Sequence, residues 1–240
     1  KYLKTILFAG EVMPVKQLNY WIKNIPDCTY ANLFGPTETT DICTFYVVNR
    51  EFSDDESLPI GKSCDNCDVF IVKDDSTPAE IGEEGELLVR GSFLASGYYN
   101  NPEKTEAAFI QNPLNQAYPE KVYKTGDLVK VNEFGEIIYL TRKDFQIKRM
   151  GYRIELGEIE SAANSLEKIK SCAAMYNQDD DCIFVVYEGG YKDTDEVLLE
   201  IKKRVPDYMC PNKVIRLKQM PHNANGKIDR AYLQSEYKNL

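Results

Sequence analysis

The chain has 240 residues, 43% of them apolar and 11% aromatic, which is enough apolar material for two modest cores and too much for a disordered segment. Lys and Arg number 29 against 38 Asp and Glu, a formal charge of −9, which argues against a general nucleic-acid surface because phosphate contacts need clustered cations. No apolar run approaches the roughly 20 residues that span a bilayer and no signal peptide opens the chain, so no membrane span and a cytoplasmic location are expected.

The first residues, up to Gly10, read as a buried strand (Thr5 to Ala9) that ends at a glycine turn, so the chain is expected to begin in mid-domain. A helix follows (Val15 to Lys23, with Val15, Leu18, Trp21 and Ile22 on one side), then a strand (Thr29 to Phe34), giving a βαβ unit of a parallel sheet. From about residue 44 to Leu140 the pattern is β-rich: Val69 to Val72, Gly85 to Arg90, and a hairpin of Leu128 to Val131 with Glu136 to Leu140. After Asp144 come two short strands, a helix near Glu158 to Glu167, strands at Ser171 to Tyr176 and Cys182 to Tyr187, a helix from Asp195 to Arg204, and a strand from Lys213 to Leu217. The expected fold is thus α/β plus α+β: the end of an α/β subdomain, a β-rich distorted barrel, and a small α+β carboxyl-terminal domain. The expected boundary divides residues 1–142 from 143–240.

Chemistry concentrates in five segments. In Asn32-Leu-Phe-Gly-Pro-Thr-Glu-Thr-Thr40 the Gly35-Pro36 turn closes a strand at its carboxyl end, where open α/β sheets bind ligands, and it presents the Thr37 hydroxyl and Glu38 carboxylate together. These are hard oxygens suited to phosphate and Mg²⁺, although an ordinary polar turn has the same composition. Gly85 to Gly91 reads best as an amphipathic strand, with Gly97-Tyr98-Tyr99 soon after. Tyr123-Lys-Thr-Gly-Asp127 sets a carboxylate after a glycine turn, able to accept both hydroxyls of a ribose. Arg142 to Glu160 joins the two modules, and Asn225-Gly-Lys-Ile-Asp-Arg230 places Lys227 on a turn after Pro221, where a long cation can reach a neighbouring site.

Cysteine and histidine chemistry has little support. Seven cysteines lie scattered; Cys64 and Cys67 have CxxC spacing but no second pair, and His222 is the sole histidine.

In this order the five segments resemble the latter core motifs of the adenylate-forming (ANL) superfamily, specifically the amino-acid adenylation domains of nonribosomal peptide synthetases. The resemblance covers essentially the whole chain. Phe8 to Pro14, Ser57 to Gly61 and Asp144 to Lys148 are similar to the D-alanine:carrier-protein ligases of that branch. The resemblance implies ATP/AMP and Mg²⁺ as cofactors, an amino acid as substrate and a phosphopantetheinylated carrier protein as partner. By position, Asn32 would contact adenine, Phe34 would stack on it beside Gly35, Thr37 would touch the α-phosphate, and Glu38 would hold the metal. Asp127 and Arg142 would bind the ribose. Asp144 would be the hinge of a mobile lid carrying the catalytic Lys227, and Lys148 and Gly151 would serve the thioester-forming state.

The same resemblance assigns Leu7, Ala9, Leu33, Asp41 and Ile42 to the side-chain pocket. Ala9 and Asp41 depart from the D-alanine ligases, which carry cysteine and an apolar residue there, so a larger or polar amino acid is expected. Capping of local backbone is the alternative role for Asp41. The Ser/Thr/Gly-rich phosphate loop of the family is absent from these residues, so little turnover is expected of the 240 residues alone. An acyl-CoA synthetase and a non-catalytic nucleotide-binding module are the rival readings; Gln146 and Leu156-Gly-Glu-Ile-Glu160 favour the amino-acid branch over the first.

Overall fold

The computed structural model describes residues 2–237, with the side chains of Asp144 and Arg153 also lying outside the described set. The chain divides into two compact units, Lys1–Lys143 and Asp144–Leu240.

The first unit opens with β1 (Thr5–Ala9), α1 (Val15–Asn24) and β2 (Thr29–Phe34), the strands parallel and in register from Thr5 opposite Thr29 to Ala9 opposite Leu33. Val15 and Leu18 of α1 bury against Tyr30, with Ile6, Phe8 and Ile22 packed around them. Trp21 does not join that stripe and is 48% exposed. At about 100° per residue it lies roughly 60° beyond Leu18, on the rim of the helix. The expectation of a buried first strand is also corrected. β1 is an edge strand with only Ile6 and Phe8 turned to α1, and Thr5, Leu7 and Ala9 are exposed on the other face. Two more strands, β3 (Thr44–Val47) and β4 (Lys62–Ser63), extend this sheet in the order β1-β2-β3-β4.

The second sheet of this unit is antiparallel. It contains β5 (Cys67–Val72) and β6 (Glu84–Gly91), then α2 (Pro102–Ala108) and β7 (Phe109–Gln111), then β8 (Lys121–Val131) and β9 (Ile137–Arg142). Its order is β5-β6-β8-β7, with β9 also paired to β8. β6 was expected to be amphipathic, but it is central and covered on both faces. Leu87 and Val89 pack with Cys43, Ile60 and Val129, and Leu88 with Val72 and Val122. α2 has no apolar stripe and no buried residue; Asn101 caps it by accepting a hydrogen bond from the Lys104 N–H at 3.0 Å, with Pro102 at its first position.

The second unit begins with the hairpin of β10 (Gln146–Arg149) and β11 (Tyr152–Glu155), turned over Met150 and Gly151 at φ of 49° and 82°. Two consecutive left-handed residues are what a tight two-residue hairpin requires. After α3 (Leu156–Asn164) come β12 (Ile169–Asn177), β13 (Cys182–Gly189), α4 (Thr194–Lys202), β14 (Lys213–Leu217) and α5 (Arg230–Tyr237). The sheet runs β12-β13-β14, with β13 and β14 parallel. Strand alternation divides its core. Cys172, Ala174 and Val185 face α3 and α4, while Ala173, Met175 and Val186 face Leu233 of α5. Of the two expected helices here, α3 starts two residues early and ends at Asn164, and α4 stops at Lys202. The fold class expected from the sequence is the one observed.

Candidate active site

The loop that leaves β2 is shaped by a steric requirement. A Cβ on Gly35 would fall 1.9 Å from the Asp41 carbonyl oxygen, so glycine alone lets the two arms of the loop touch. Pro36 then starts a short turn over Thr37–Thr39, and the Cys43 N–H returns to the Phe34 carbonyl at 2.9 Å to close the loop. Between them Thr40 and Asp41 hold φ of 50° and 82°, left-handed values that bulky residues rarely adopt and that cluster at functional sites. Thr37 and Asp41 are exposed and Glu38 is half-buried. The Asp41 carboxylate accepts no hydrogen bond among the described residues and is exposed.

Tyr98 ties this loop to the next. Its hydroxyl donates to Glu38 Oε1, the Ala95 N–H donates to the Glu38 carbonyl at 2.9 Å, and the Thr40 hydroxyl donates to the Phe93 carbonyl at 2.6 Å. The Tyr98 ring packs on Phe109, which packs on Tyr123. Burial first, and then the hydrogen bond to Glu38, raises the Tyr98 phenol pKa. Burial, and then the hydrogen bond to Tyr98, raises that of Tyr123. Both shifts further favour the protonated phenol in the vicinity of the Glu38 carboxylate, and it is Tyr98 that donates to it. The sequence pattern marks Tyr98 but gives it no role.

The Asp127 carboxylate is 5% exposed and lies opposite Arg142 in the β8/β9 register, with Nη1 to Oδ1 at 3.4 Å. Asp127 was expected just after a chain turn; it sits inside β8 instead. The ladder between β6 and β8 shifts register between Glu86 and Leu88, and Gly126 takes φ of 75° across from that shift. This is a bulge, which re-aims the side chains beside it. The Arg142 guanidinium occupies the space over Gly126, where a Cβ would come within 3.1 Å of Nη2, and donates to the Thr125 carbonyl at 3.3 Å. The Thr125 hydroxyl donates to the Leu87 carbonyl and accepts from the Asp127 N–H, both at 2.9 Å.

Beneath the bulge lies a carboxylate that no sequence motif singles out. Glu86 is 6% exposed; it accepts from the Gly126 N–H at 3.1 Å and pairs with Lys143 Nζ at 2.9 Å and Lys124 Nζ at 3.6 Å. Burial opposes the Lys143 cation, but hydrogen bonds to Glu86 and Asp74 outweigh it and hold its pKa above the ordinary value. Charged residues at alternate positions of an apolar strand were the available signal.

The remaining sequence-predicted positions of this unit divide between sheet faces. Leu7, Ala9 and Leu33 share one face, Ala9 and Leu33 being register partners. Asn32 lies on the opposite face, buried, its Nδ2 donating to the Pro59 carbonyl at 2.8 Å. Phe34 is half-buried, its ring centroid 6.1 Å from that of Tyr139. Ile42 is half-buried where the loop returns.

In the second unit Lys148 is exposed on β10 and Gly151 forms the hairpin tip. Asp144 falls in the short turn Lys143–Phe145, and its side chain is outside the described residues. Lys227 is exposed on a turn closed by the Asn223 N–H to the Lys227 carbonyl at 2.8 Å. Its ammonium has no ion-pair partner among the described residues. All seven cysteines are free, and no group of three or more metal-ligating side chains occurs among the described residues.

Two family models match the chain, one described as AMP-binding enzyme over residues 1–99 and one as AMP-binding enzyme C-terminal domain over residues 158–227. The chain belongs to the AMP-binding enzyme family. Within this family it is 36% identical over 236 residues to tyrocidine synthase 3 of Brevibacillus parabrevis, covering 96% of this chain and 4% of that protein. It is 35% identical over 246 residues to the D-alanine--D-alanyl carrier protein ligase of Lacticaseibacillus casei, covering 98% of this chain and 48% of the ligase. A crystal structure of a holo four-domain nonribosomal peptide synthetase bound to AMP and glycine superimposes with a TM-score of 0.77 at 29% identity, over 95% of this chain and 17% of that one. The chain therefore spans about half the length of the D-alanine ligases it matches. In AMP-binding enzyme terms, the Gly35 loop lies in the first match and Lys227 is the last residue of the second. No described helix is long and apolar enough to cross a membrane.

Proposed function

We propose that this chain carries the nucleotide end and the mobile lid of a ligase that activates an amino acid as its aminoacyl-adenylate with ATP, then passes it to a carrier-protein phosphopantetheine thiol. On this reading the first unit is the end of the large nucleotide-binding domain, expected from the sequence to close at residue 142 and keeping Lys143 through its pairs with Glu86 and Asp74, and the rest of the chain is the lid turning at Asp144. The observation that carries the reading is the Gly126 bulge. It holds a buried carboxylate, Asp127, beside a guanidinium, Arg142, at the end of an antiparallel pair, an arrangement suited to the two hydroxyls of a ribose.

Each side chain then has one task. Asn32 and Phe34 meet the adenine, Gly35 lets the loop fold, and the Thr37 hydroxyl donates to the α-phosphate. Glu38 supplies one carboxylate, which suits Mg²⁺ because that ion commonly takes one or two protein carboxylates and completes its shell with phosphate and water. Bound there, the metal neutralises phosphate charge. Carboxylate attack on the α-phosphorus, which breaks the bond to the bridging oxygen of the β-phosphate and releases pyrophosphate, concentrates negative charge, and a positioned ammonium stabilises it in a site closed to water. Lys227, exposed and without an ion-pair partner among the described residues, is the cation for that step. Turning the lid withdraws Lys227 and brings Lys148 and Gly151 into use for thioester formation.

Leu7, Ala9, Leu33, Asp41 and Ile42 form the side-chain pocket on this reading, with Asp41 hydrogen-bonding a polar substrate group. The deciding experiment is made in the complete protein that contains these residues. Lys227→Ala is expected to abolish amino-acid-dependent pyrophosphate exchange and to spare thioester formation from supplied adenylate. Equal loss of both steps would sink the assignment. A carrier protein rather than coenzyme A is the expected thiol acceptor.

A further inference from the structure

Residues 222–227 of the turn that carries Lys227 are all exposed; apolar packing begins only at the next residue, Ile228, which bridges to His222 and lies against the cluster of Met220 and Leu233. Its near end is held by Asn223, whose Oδ1 accepts from the Asn225 N–H at 3.0 Å and the Lys227 N–H at 3.1 Å. Its far end runs directly into α5, where the Asp229 carboxylate caps the helix by accepting from the Tyr232 N–H at 3.0 Å. Arg230, the first residue of α5, does not extend into solvent. Its guanidinium grips the Glu160 carboxylate at both oxygens, 2.7 Å from Nη1 to Oε1 and 3.0 Å from Nη2 to Oε2, and donates to the Ala174 carbonyl at 3.3 Å. Glu160 also accepts from the Ala174 N–H at 2.7 Å. The guanidinium carbon lies 5.0 Å from the centroid of the Phe145 ring. Two-pronged pairing with these side chains 27% and 18% exposed is the strong form of the Arg–carboxylate contact.

Four elements of the second unit therefore meet on one side chain: α5, α3, β12 and the turn that contains Phe145, the second residue of that unit. We infer that Arg230 is a positioning residue for Lys227. By tying the helix that follows the turn to Glu160 and Phe145, it fixes where the exposed end of that turn, and with it the Lys227 ammonium, stands relative to the body of the unit, and it transmits movement of the unit's first residues to that ammonium. The inference rests on the reading of Lys227 as the lysine of adenylate formation. Its magnitude follows from the sensitivity of such steps to placement, since a displacement of about 1 Å costs roughly 100-fold in rate.

The test uses the complete protein with both half-reactions measured. Arg230→Ala is expected to lower kcat of pyrophosphate exchange by about 10- to 100-fold at unchanged KM for ATP, while transfer from supplied adenylate stays within about twofold. Glu160→Gln, which keeps an acceptor for Ala174 but loses the charge pair, is expected to follow it. Arg230→Lys is expected not to restore the rate, because a single ammonium cannot bridge both carboxylate oxygens and the Ala174 carbonyl. If Arg230→Ala does not fold, Glu160→Gln alone decides. Exchange within about threefold of the parent in the deciding variant, or equal loss of both steps, overturns the positioning role. Lys227→Ala in the same series separates the two ideas. If it leaves exchange intact, the catalytic reading falls and this inference with it. If it abolishes exchange while Arg230→Ala does not, only the positioning role falls.

Discussion

The Lys143 ammonium lies 2.9 Å from Glu86 Oε2, joining the last residue of the first unit to the most enclosed strand of its antiparallel sheet. Glu86 also accepts from the backbone of the Gly126 bulge, so one buried carboxylate serves the end of the unit and the strand that aims Asp127. Glu86→Ala leaves the Gly126 N–H without that acceptor and removes the charge facing Lys143, with an expected loss of about 2 kcal/mol. Urea denaturation of the complete protein, read as the midpoint at constant slope, measures it; Glu86→Gln should lose less because the amide oxygen still accepts from Gly126.

The same pair gives a pH dependence of definite sign. The folded pKa of Lys143 is raised above its ordinary 10.5, because the Glu86 and Asp74 carboxylates outweigh the opposing burial. Its stabilisation is therefore complete below the unfolded value and disappears as pH rises through the raised folded value. Lys143→Met should flatten the fall in urea midpoint between about pH 10 and pH 12 relative to the parent, and an unchanged slope there would show that other groups cause the fall.

Gly35 and Gly135 offer a contrast between steric and conformational cost. Gly135 holds φ of 74° in the β8/β9 turn with nothing within 4 Å of where an added Cβ would stand, so Gly135→Ala carries only backbone strain, about 1 kcal/mol. Gly35→Ala must force the Asp41 carbonyl aside from 1.9 Å, and the whole Gly35 to Cys43 loop moves with it. ATP affinity, measured by calorimetry on the complete protein, is expected to fall at least about tenfold for Gly35→Ala and to be unchanged for Gly135→Ala.

Much of this arrangement is legible in the sequence because short motifs and strong periodicity carry it. The strands Thr5–Ala9, Thr29–Phe34 and Lys213–Leu217 have the expected bounds, since apolar runs flanked by turn residues mark both ends. What escaped was set by neighbours. Burial of β6 on both faces follows from the side chains packed over each, Cys43 and Ile60 against Leu87 and Val89, and Val72 and Val122 against Leu88, which no local pattern states. The apolar face of β1 looked like core by composition, yet it has a single strand neighbour and its outer positions are exposed. α2 and α5 lack a long apolar stripe, and their caps, Asn101 and Asp229, were the signals that could have found them. Among the site residues, Glu86, Tyr98 and Arg230 act through partners 40, 60 and 70 positions away, beyond any motif.

Tyr98 gives a prediction that separates orientation from folding. A tyrosine phenol is protonated at neutral pH already at its ordinary value of 10.0, and burial and the Glu38 hydrogen bond raise it further, so it donates to Glu38 there. Tyr98→Phe keeps the ring contact with Phe109 but removes that donor. The Mg²⁺ concentration for half-maximal pyrophosphate exchange is expected to rise by about 10-fold, as losses of an outer hydrogen bond to a metal-holding carboxylate commonly do. The thermal midpoint should move little. An unchanged Mg²⁺ requirement would remove Glu38 from the metal role proposed here.

The pairing of Asp127 with Arg142 leads to a test of what the bulge is for. If Asp127 accepts ribose hydroxyls, a nucleotide lacking one leaves a buried acceptor short of a donor, and the parent should prefer ATP over 2′-deoxy-ATP. Asp127→Asn should weaken ATP binding by about 10-fold and reduce that preference, because the amide accepts on one side only. Gly126→Ala reaches the same carboxylate indirectly. Its Cβ would crowd Arg142 Nη2 at 3.1 Å in a backbone conformation already unfavourable for alanine, so the guanidinium must shift away from Asp127. The two substitutions should then be non-additive in ATP affinity, the double variant falling little below the weaker single one. Additive losses would mean that Gly126 and Asp127 contribute independently, and that the bulge is an accommodation of the sheet rather than the device that aims the ribose carboxylate.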